Sequence, residues 1–372
     1  MKDSPTLTLP RVRPTPTPTV VHRRGGRIAA LDGMRLLAAL MVVAYHYMAL
    51  YGGWPTHGAT LFPAAFPYTA YGWLGVPLFF LISGFVICMS CWGRSLESFF
   101  VSRVVRLYPA YWFAVLATTV VVMLVPGGRN PLPVADVVTN LTMLQEPLGV
   151  GKVDGVYWTL YAELRFYLLF AVMAWWGLTY RRVLVFCCVW AAAGMLLAKS
   201  QGSLLYGLLM PNYCWYFIAG MAFFLIYRFG PNLLLIGVVL LCFGASLPFA
   251  HDTWSGTLGY FEYSIKFWPV VAVLAVCFGA MALVATGRLN WMQWRWLPYA
   301  GAVTYPLYLM HQYMGWELIR ALGDRLSPYQ VLAVVLGGML VASWLVHRLI
   351  ERPVSRLLRR RLSTALFRPE PR

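Results

Sequence analysis

Apolar residues fall along this chain in long runs separated by short segments rich in glycine, proline and arginine. Ten runs can be drawn, near 29–50, 72–92, 108–125, 157–177, 183–199, 206–228, 232–250, 267–286, 297–319 and 330–350. Each approaches the ~20 residues that a helix needs to cross ~30 Å of hydrocarbon. In lipid the backbone has no water to bond, so segments of this kind close their hydrogen bonds within themselves as helices. The pattern predicts an all-α fold, a polytopic membrane bundle of about ten transmembrane helices.

The polar interruptions carry the chemistry. Arg35 and His46 lie in the first run, where hydrocarbon penalises both. Eleven residues are almost three helical turns, so the guanidinium and the imidazole face one side, ~16 Å apart along the axis. Ionisable groups inside a span point into the bundle or a wet cavity, and suggest a substrate or proton path. The alternating direction of successive spans puts His46, Glu163 and His311 at one depth, ~8–12 Å below the outer boundary. A carboxylate beside a histidine can fix its tautomer and raise its basicity, which suits a base that takes a hydroxyl proton near neutral pH. His347 pairs most simply with Glu351 one turn later. His22, His57 and His251 belong to a tail and to loops.

Charge orients the bundle. Of the 30 Lys and Arg residues, 22 fall in the segments that are inside when the N-terminus is cytoplasmic and six outside, with Arg35 and Arg165 within spans. Because inner loops collect positive charge, both termini are expected in the cytoplasm of a multi-pass plasma-membrane protein. The composition agrees, at 60% hydrophobic, 12% charged and mean hydropathy +0.65 over 372 residues. The net charge of +17 lacks a compact basic module, so topology and anionic lipid account for it, with no nucleic-acid partner. Residues 1–27, Pro/Thr-rich and basic, read as a disordered cytoplasmic tail; 28–353 is the membrane domain and 354–372 a second basic tail. Arginine outnumbers lysine 26 to 4, a bias expected of a GC-rich bacterial genome.

The seven cysteines lie in spans or at their ends, which argues against a disulfide framework. Cys88 and Cys91 have no second ligand pair, so no metal is expected. No Walker loop or dinucleotide fingerprint is present.

Arg103 and Arg106 stand three apart where the third span begins, and on a helix they would present two guanidinium forks suited to phosphate. With Arg35 near the same inner end, the pattern outlines an enzyme whose anionic donor docks at the cytoplasmic side while His46 meets the acceptor deeper in. A coenzyme A thioester fits that shape.

These residues resemble the acyltransferase 3 family of integral-membrane O-acyltransferases. The resemblance rests on LDGMRLLAALMVVAYH from Leu31 to His46, with its Arg-x10-His spacing, on FFLISGF from Phe79 to Phe85 and on RVVRLYPAYW from Arg103 to Trp112. It continues in WTLYAELRFY from Trp158 to Tyr167, in YPLYLMH from Tyr305 to His311 and in Glu351, Arg352 and Pro353. It implies about ten helices and transfer of an acyl group from acyl-CoA, with acetyl-CoA as the first expectation, to a hydroxyl of a sugar-containing acceptor. It also implies that His46, Arg35 and Glu163 are catalytic, with His46 the base, and that Arg35, Arg103, Arg106 and Ser83 contact the donor. Trp158, Tyr305, Tyr308 and His311 would then meet substrate. The competing expectation is a proton-coupled transporter or flippase of a glycan or lipid, in which the same buried groups relay protons.

Overall fold

The computed structural model describes residues 28–125, 127–200, 202–261 and 263–366. The tail at 1–27 and the last residues of the basic C-terminal segment lie outside that set. Among the described residues every regular element is helical. In chain order they are α1 (Ala29–Ala44), α2 (Gly58–Leu61), α3 (Phe66–Thr69), α4 (Gly75–Cys91), α5 (Leu96–Leu124), α6 (Val134–Asn140), α7 (Trp158–Trp175) and α8 (Tyr180–Leu197). There follow α9 (Leu204–Leu209), α10 (Cys214–Phe229), α11 (Leu233–Leu258), α12 (Trp268–Ala285), α13 (Leu297–Met310), α14 (Tyr313–Gly323), α15 (Pro328–Val346) and α16 (Arg352–Leu366).

Eight helical segments among the described residues are long and apolar enough to cross a membrane, and they correspond to eight of the ten runs. The remaining two are the ones that carry polar site residues. α7 spends part of its 18 residues on Glu163 and Arg165. The 297–319 run is divided at His311 and Gln312 into α13 and α14. Residues 354–366 of the expected basic tail are helical, as part of α16, which packs on α5 through Ser355 Oγ donating to Val105 O at 2.9 Å. That carbonyl lacks its helical partner because Pro109 has no N–H, so the bond satisfies an orphan that the proline creates.

The bundle centres on α10, whose span is 83% buried. It crosses α4 at two glycines. A Cβ on Gly84 would stand 2.2 Å from Phe217 O, and one on Gly220 would stand 2.2 Å from Leu81 O. Without side chains the two backbones meet directly, which is how helices associate in lipid, where apolar burial gives no net drive.

α1 and α13 lie side by side and run parallel. At one end Asp32 fills the space over Gly301, whose Cβ would sit 2.4 Å from Asp32 Oδ1. At the other end His46 meets His311. α1 continues through a wider π-helical turn, Tyr45–Ala49, that contains His46, a local irregularity often found where a helix serves a site. The two ends are called below the arginine end and the histidine end.

Candidate functional site

Two adjoining cavities open between α1, α4, α5, α7 and α13. The wider, about 930 Å³, lies at the arginine end and is lined by Arg35, Arg106, Arg295 and Arg352, with Asp32 and His347. The narrower, about 120 Å³, lies deeper and is lined by Ser83, Arg103, Glu163, Tyr167, Tyr305 and Tyr308 among apolar side chains that include Phe79 and Phe80. Arg35, Val86 and Arg106 line both, so the two cavities adjoin across these side chains.

α7 enters from a capped turn, in which Asp154 accepts from Val156 N at 3.1 Å, and so presents Glu163 and Tyr167 one turn apart. Glu163 Oε1 accepts from Ser83 Oγ at 2.6 Å and from Tyr167 Oη at 2.5 Å. Two donors on one oxygen are short, as expected for bonds to a carboxylate. Arg165 faces away, donating to Gly207 O and lying 4.4 Å over the Tyr161 ring.

Arg35 sits 3.8 Å from Asp32. Arg106 pairs with the buried Glu351 at 3.0 Å and lies 5.5 Å over the Tyr305 ring. Glu351 also accepts from His347 at 2.8 Å. The expected His347–Glu351 pair is therefore made, and Arg106 joins it. Arg103 lies 5.8 Å over the Tyr167 ring. Tyr305 donates to Leu107 O at 3.1 Å, which ties α13 to α5 at the narrow cavity.

The histidines lie beyond Tyr308. That tyrosine lines the narrow cavity, its hydroxyl 2.9 Å from Thr159 Oγ1 and its ring 5.6 Å from the His311 ring. His311 Nε2 is 3.1 Å from His46 Nδ1. The His46 backbone carbonyl accepts from Trp316 Nε1 at 2.9 Å, and the His311 carbonyl from Tyr47 Oη at 2.7 Å.

One expected contact is not made. Among the described residues Glu163 makes no hydrogen bond to His46: its bonds go to Ser83 and Tyr167, and the partner of His46 is His311. His311 is fully buried, with Nδ1 against Tyr308 O and Nε2 against His46 Nδ1. The Trp158 ring lies 5.1 Å from Tyr213 and 6.3 Å from Phe80, and its neighbours Thr159 and Leu160 line the narrow cavity. Arg35, Ser83, Arg103, Arg106, Glu163, Tyr305 and Tyr308 are brought to one cavity.

Sequence reasoning overlooked Tyr167, although its i, i+4 spacing from Glu163 was a readable signal. It also left unassigned Arg295 and Arg352, whose positions on the wide cavity depend on how α13 and α16 pack.

At the histidine end a further network stood outside every motif. Arg129 lies 3.6 Å over the Tyr313 ring, and its backbone N–H donates to Glu317 Oε1 at 3.1 Å. Asp154 Oδ2 accepts from Tyr313 N at 2.9 Å, so one carboxylate joins the start of α7 to the start of α14. Burial pushes the Asp154 carboxyl up to about 7, against the opposing pull of its two backbone donors and Arg129.

The molecule is thus a polytopic helical membrane protein with adjoining cavities lined by arginines, a carboxylate and tyrosines, and with a histidine pair behind Tyr308. The chain belongs to the acyltransferase 3 family: the family's model, described as an acyltransferase domain, matches residues 28–348. It is 33% identical over 172 residues to nodulation protein 10 of Rhizobium leguminosarum bv. viciae, a match covering 41% of this chain and 45% of that relative. It is 30% identical over 177 residues to acyltransferase MdmB of Streptomyces mycarofaciens, covering 45% of this chain and 44% of the relative. The matched region therefore spans less than half of either relative. No solved structure matches.

Proposed function

We propose that the protein is an O-acyltransferase that moves a short acyl group, acetyl first among them, from acyl-CoA to a hydroxyl of a sugar-containing acceptor. The observation that carries this reading is that the arginine-rich cavity adjoins the narrow cavity of Glu163 and the tyrosines, with Arg35, Val86 and Arg106 lining both. The wide end suits the phosphates of coenzyme A, because guanidinium forks bind them in pairs of parallel hydrogen bonds. The narrow end, 120 Å³ with an apolar wall broken by Ser83 and Glu163, suits a thioester and a small acyl group. Both termini and the arginine end would face the cytoplasm, where acyl-CoA is made.

In this reading His46 takes the proton of the acceptor hydroxyl as its oxygen attacks the thioester carbonyl. The C–O bond forms, the C–S bond breaks, and the proton passes from His46 to the departing thiolate. Glu163, held by Ser83 and Tyr167, places a fixed negative charge in the narrow cavity with Arg35. Its role is to hold Arg35 and the hydroxyls of that cavity in place around the donor.

The test is release of free thiol from acetyl-CoA by purified protein in detergent, with and without a glycan extract of the cell envelope as acceptor. Acceptor-dependent release by the wild type, and none from His46→Ala at normal expression, is the expected result. A protein that translocates a glycan without releasing thiol is the transporter, and the acyl-transfer reading then falls.

A further inference from the structure

The bonds around the two imidazoles determine where their protons sit. His311 Nδ1 lies 2.8 Å from Tyr308 O, and a carbonyl oxygen only accepts, so Nδ1 carries the hydrogen. Neutral His311 then offers a lone pair at Nε2, 3.1 Å from His46 Nδ1. His46 Nδ1 also lies 2.8 Å from Val42 O, again an acceptor. Both neighbours of His46 Nδ1 therefore call for a hydrogen there, and neutral His46 keeps its lone pair at Nε2, which makes no hydrogen bond among the described residues. Val42 O, with two lone pairs, also takes the backbone N–H of Tyr45, so the His46 Nδ1–H is shared between Val42 O and the otherwise uncommitted lone pair of His311 Nε2.

We propose that His311 is a positioning residue: it holds His46 in the Nδ1–H tautomer and leaves Nε2 as the atom that receives the acceptor proton. The proposal rests on the reading of His46 as the base. A neutral histidine otherwise favours the Nε2–H tautomer modestly in water, and that form would turn a hydrogen towards the hydroxyl where a lone pair is needed. When Nε2 takes the proton, the cation keeps its Nδ1–H on His311 Nε2, a bond to a charged donor and so stronger than the one it replaces. When the thiolate leaves, the same Nε2–H protonates it and His46 returns to its starting tautomer. No oxidant or further reactant is needed.

The pair is built to stay in register. The Tyr47 hydroxyl on the His311 carbonyl and the Trp316 indole on the His46 carbonyl hold the two backbones, and the Tyr308 carbonyl on Nδ1 holds the His311 ring. Tyr47 is itself wedged against α14, where a Cβ on Gly315 would stand 2.1 Å from its hydroxyl.

The experiment is ¹⁵N magic-angle-spinning NMR of histidine-labelled protein in lipid, with His46 assigned by its disappearance in His46→Ala. The wild type should show His46 protonated at Nδ1 and bare at Nε2. His311→Gln, whose side-chain oxygen can accept, should preserve that signature, and His311→Leu should move His46 towards the Nε2–H form. With acetyl-CoA and the glycan extract, His311→Leu should lower kcat about 100-fold with little change in KM for acetyl-CoA, and His311→Gln should recover most of it. A wild-type His46 bearing its hydrogen on Nε2, or a His311→Leu spectrum unchanged from wild type, overturns the proposal. The thiol assay of His46→Ala judges the base assignment separately, so the two can fail independently.

Discussion

At the scale of single residues the carboxylate in the narrow cavity is the most exposed to test. Glu163 depends on two donors, each a hydrogen bond to a charged group and each contributing ~1.5–3 kcal/mol. Ser83→Ala and Tyr167→Phe should each lower kcat/KM for acetyl-CoA by about 10–100-fold, with expression unchanged. A fall of that size in kcat alone would mean that the bond matters only as the acyl group moves; a rise in KM alone would mean that it holds the bound donor. His46 is more drastic, since both ring nitrogens of its neighbour His311 are already engaged, and His46→Ala should leave no measurable thiol release. Asp154 makes a different prediction. Its folded carboxyl titrates near 7 against an ordinary 3.8, so between those values the unfolded chain is the more ionised. The stability it contributes is full below about 4 and falls as pH rises towards 7, then stays level. Thermal unfolding in detergent across pH 4.5–8 should lose part of that slope in Asp154→Asn.

Elements transmit these positions through close backbone contact. α4 carries Ser83 next to Gly84, and Gly84 meets α10 with no room for a methyl group. Gly220→Ala presses against Leu81 O, a backbone atom that no rotamer change can move, so it should destabilise the bundle by about 1–3 kcal/mol. The same substitution at Gly237 of α11, which has open space, should leave the melting temperature nearly unchanged. The break between α13 and α14 has the opposite purpose. It turns the chain at His311 and Gln312, so that Tyr308 and His311 approach α1 from one helix while Trp316 approaches from the next. A straight span would have presented Trp316 further along the same axis.

For the whole molecule the argument is electrostatic. Arg35, Arg106, Arg295 and Arg352 come from α1, α5, the segment before α13 and α16, and together form one positive wall. Arg295→Ala should raise KM for acetyl-CoA with kcat preserved, and added salt should raise the wild-type KM by screening the same field. If Arg295→Ala instead leaves KM unchanged and lowers kcat, the vestibule is not where the phosphates bind.

The chain by itself determined the helical membrane class, the parity that lets the first and ninth runs lie parallel, and several polar residues of the narrow cavity, because apolar length and intramembrane charge are local properties. Arg35, Arg103, Arg106 and Glu163 were legible in this way, Ser83, Tyr305 and Tyr308 through the family resemblance, and all seven line one cavity. The partners were not legible. Depth along a helix can be counted in residues, but rotation about its axis and the choice of neighbour are set by packing, so the expected Glu163–His46 contact gave way to Ser83 and Tyr167 on one side and His311 on the other. Arg295 and Arg352 looked like ordinary inner-surface charge for the same reason. Only the crossing of α13 and α16 over α1 and α5 brings them to the wide cavity, because lipid-facing and protein-facing positions have the same composition and only contact tells them apart.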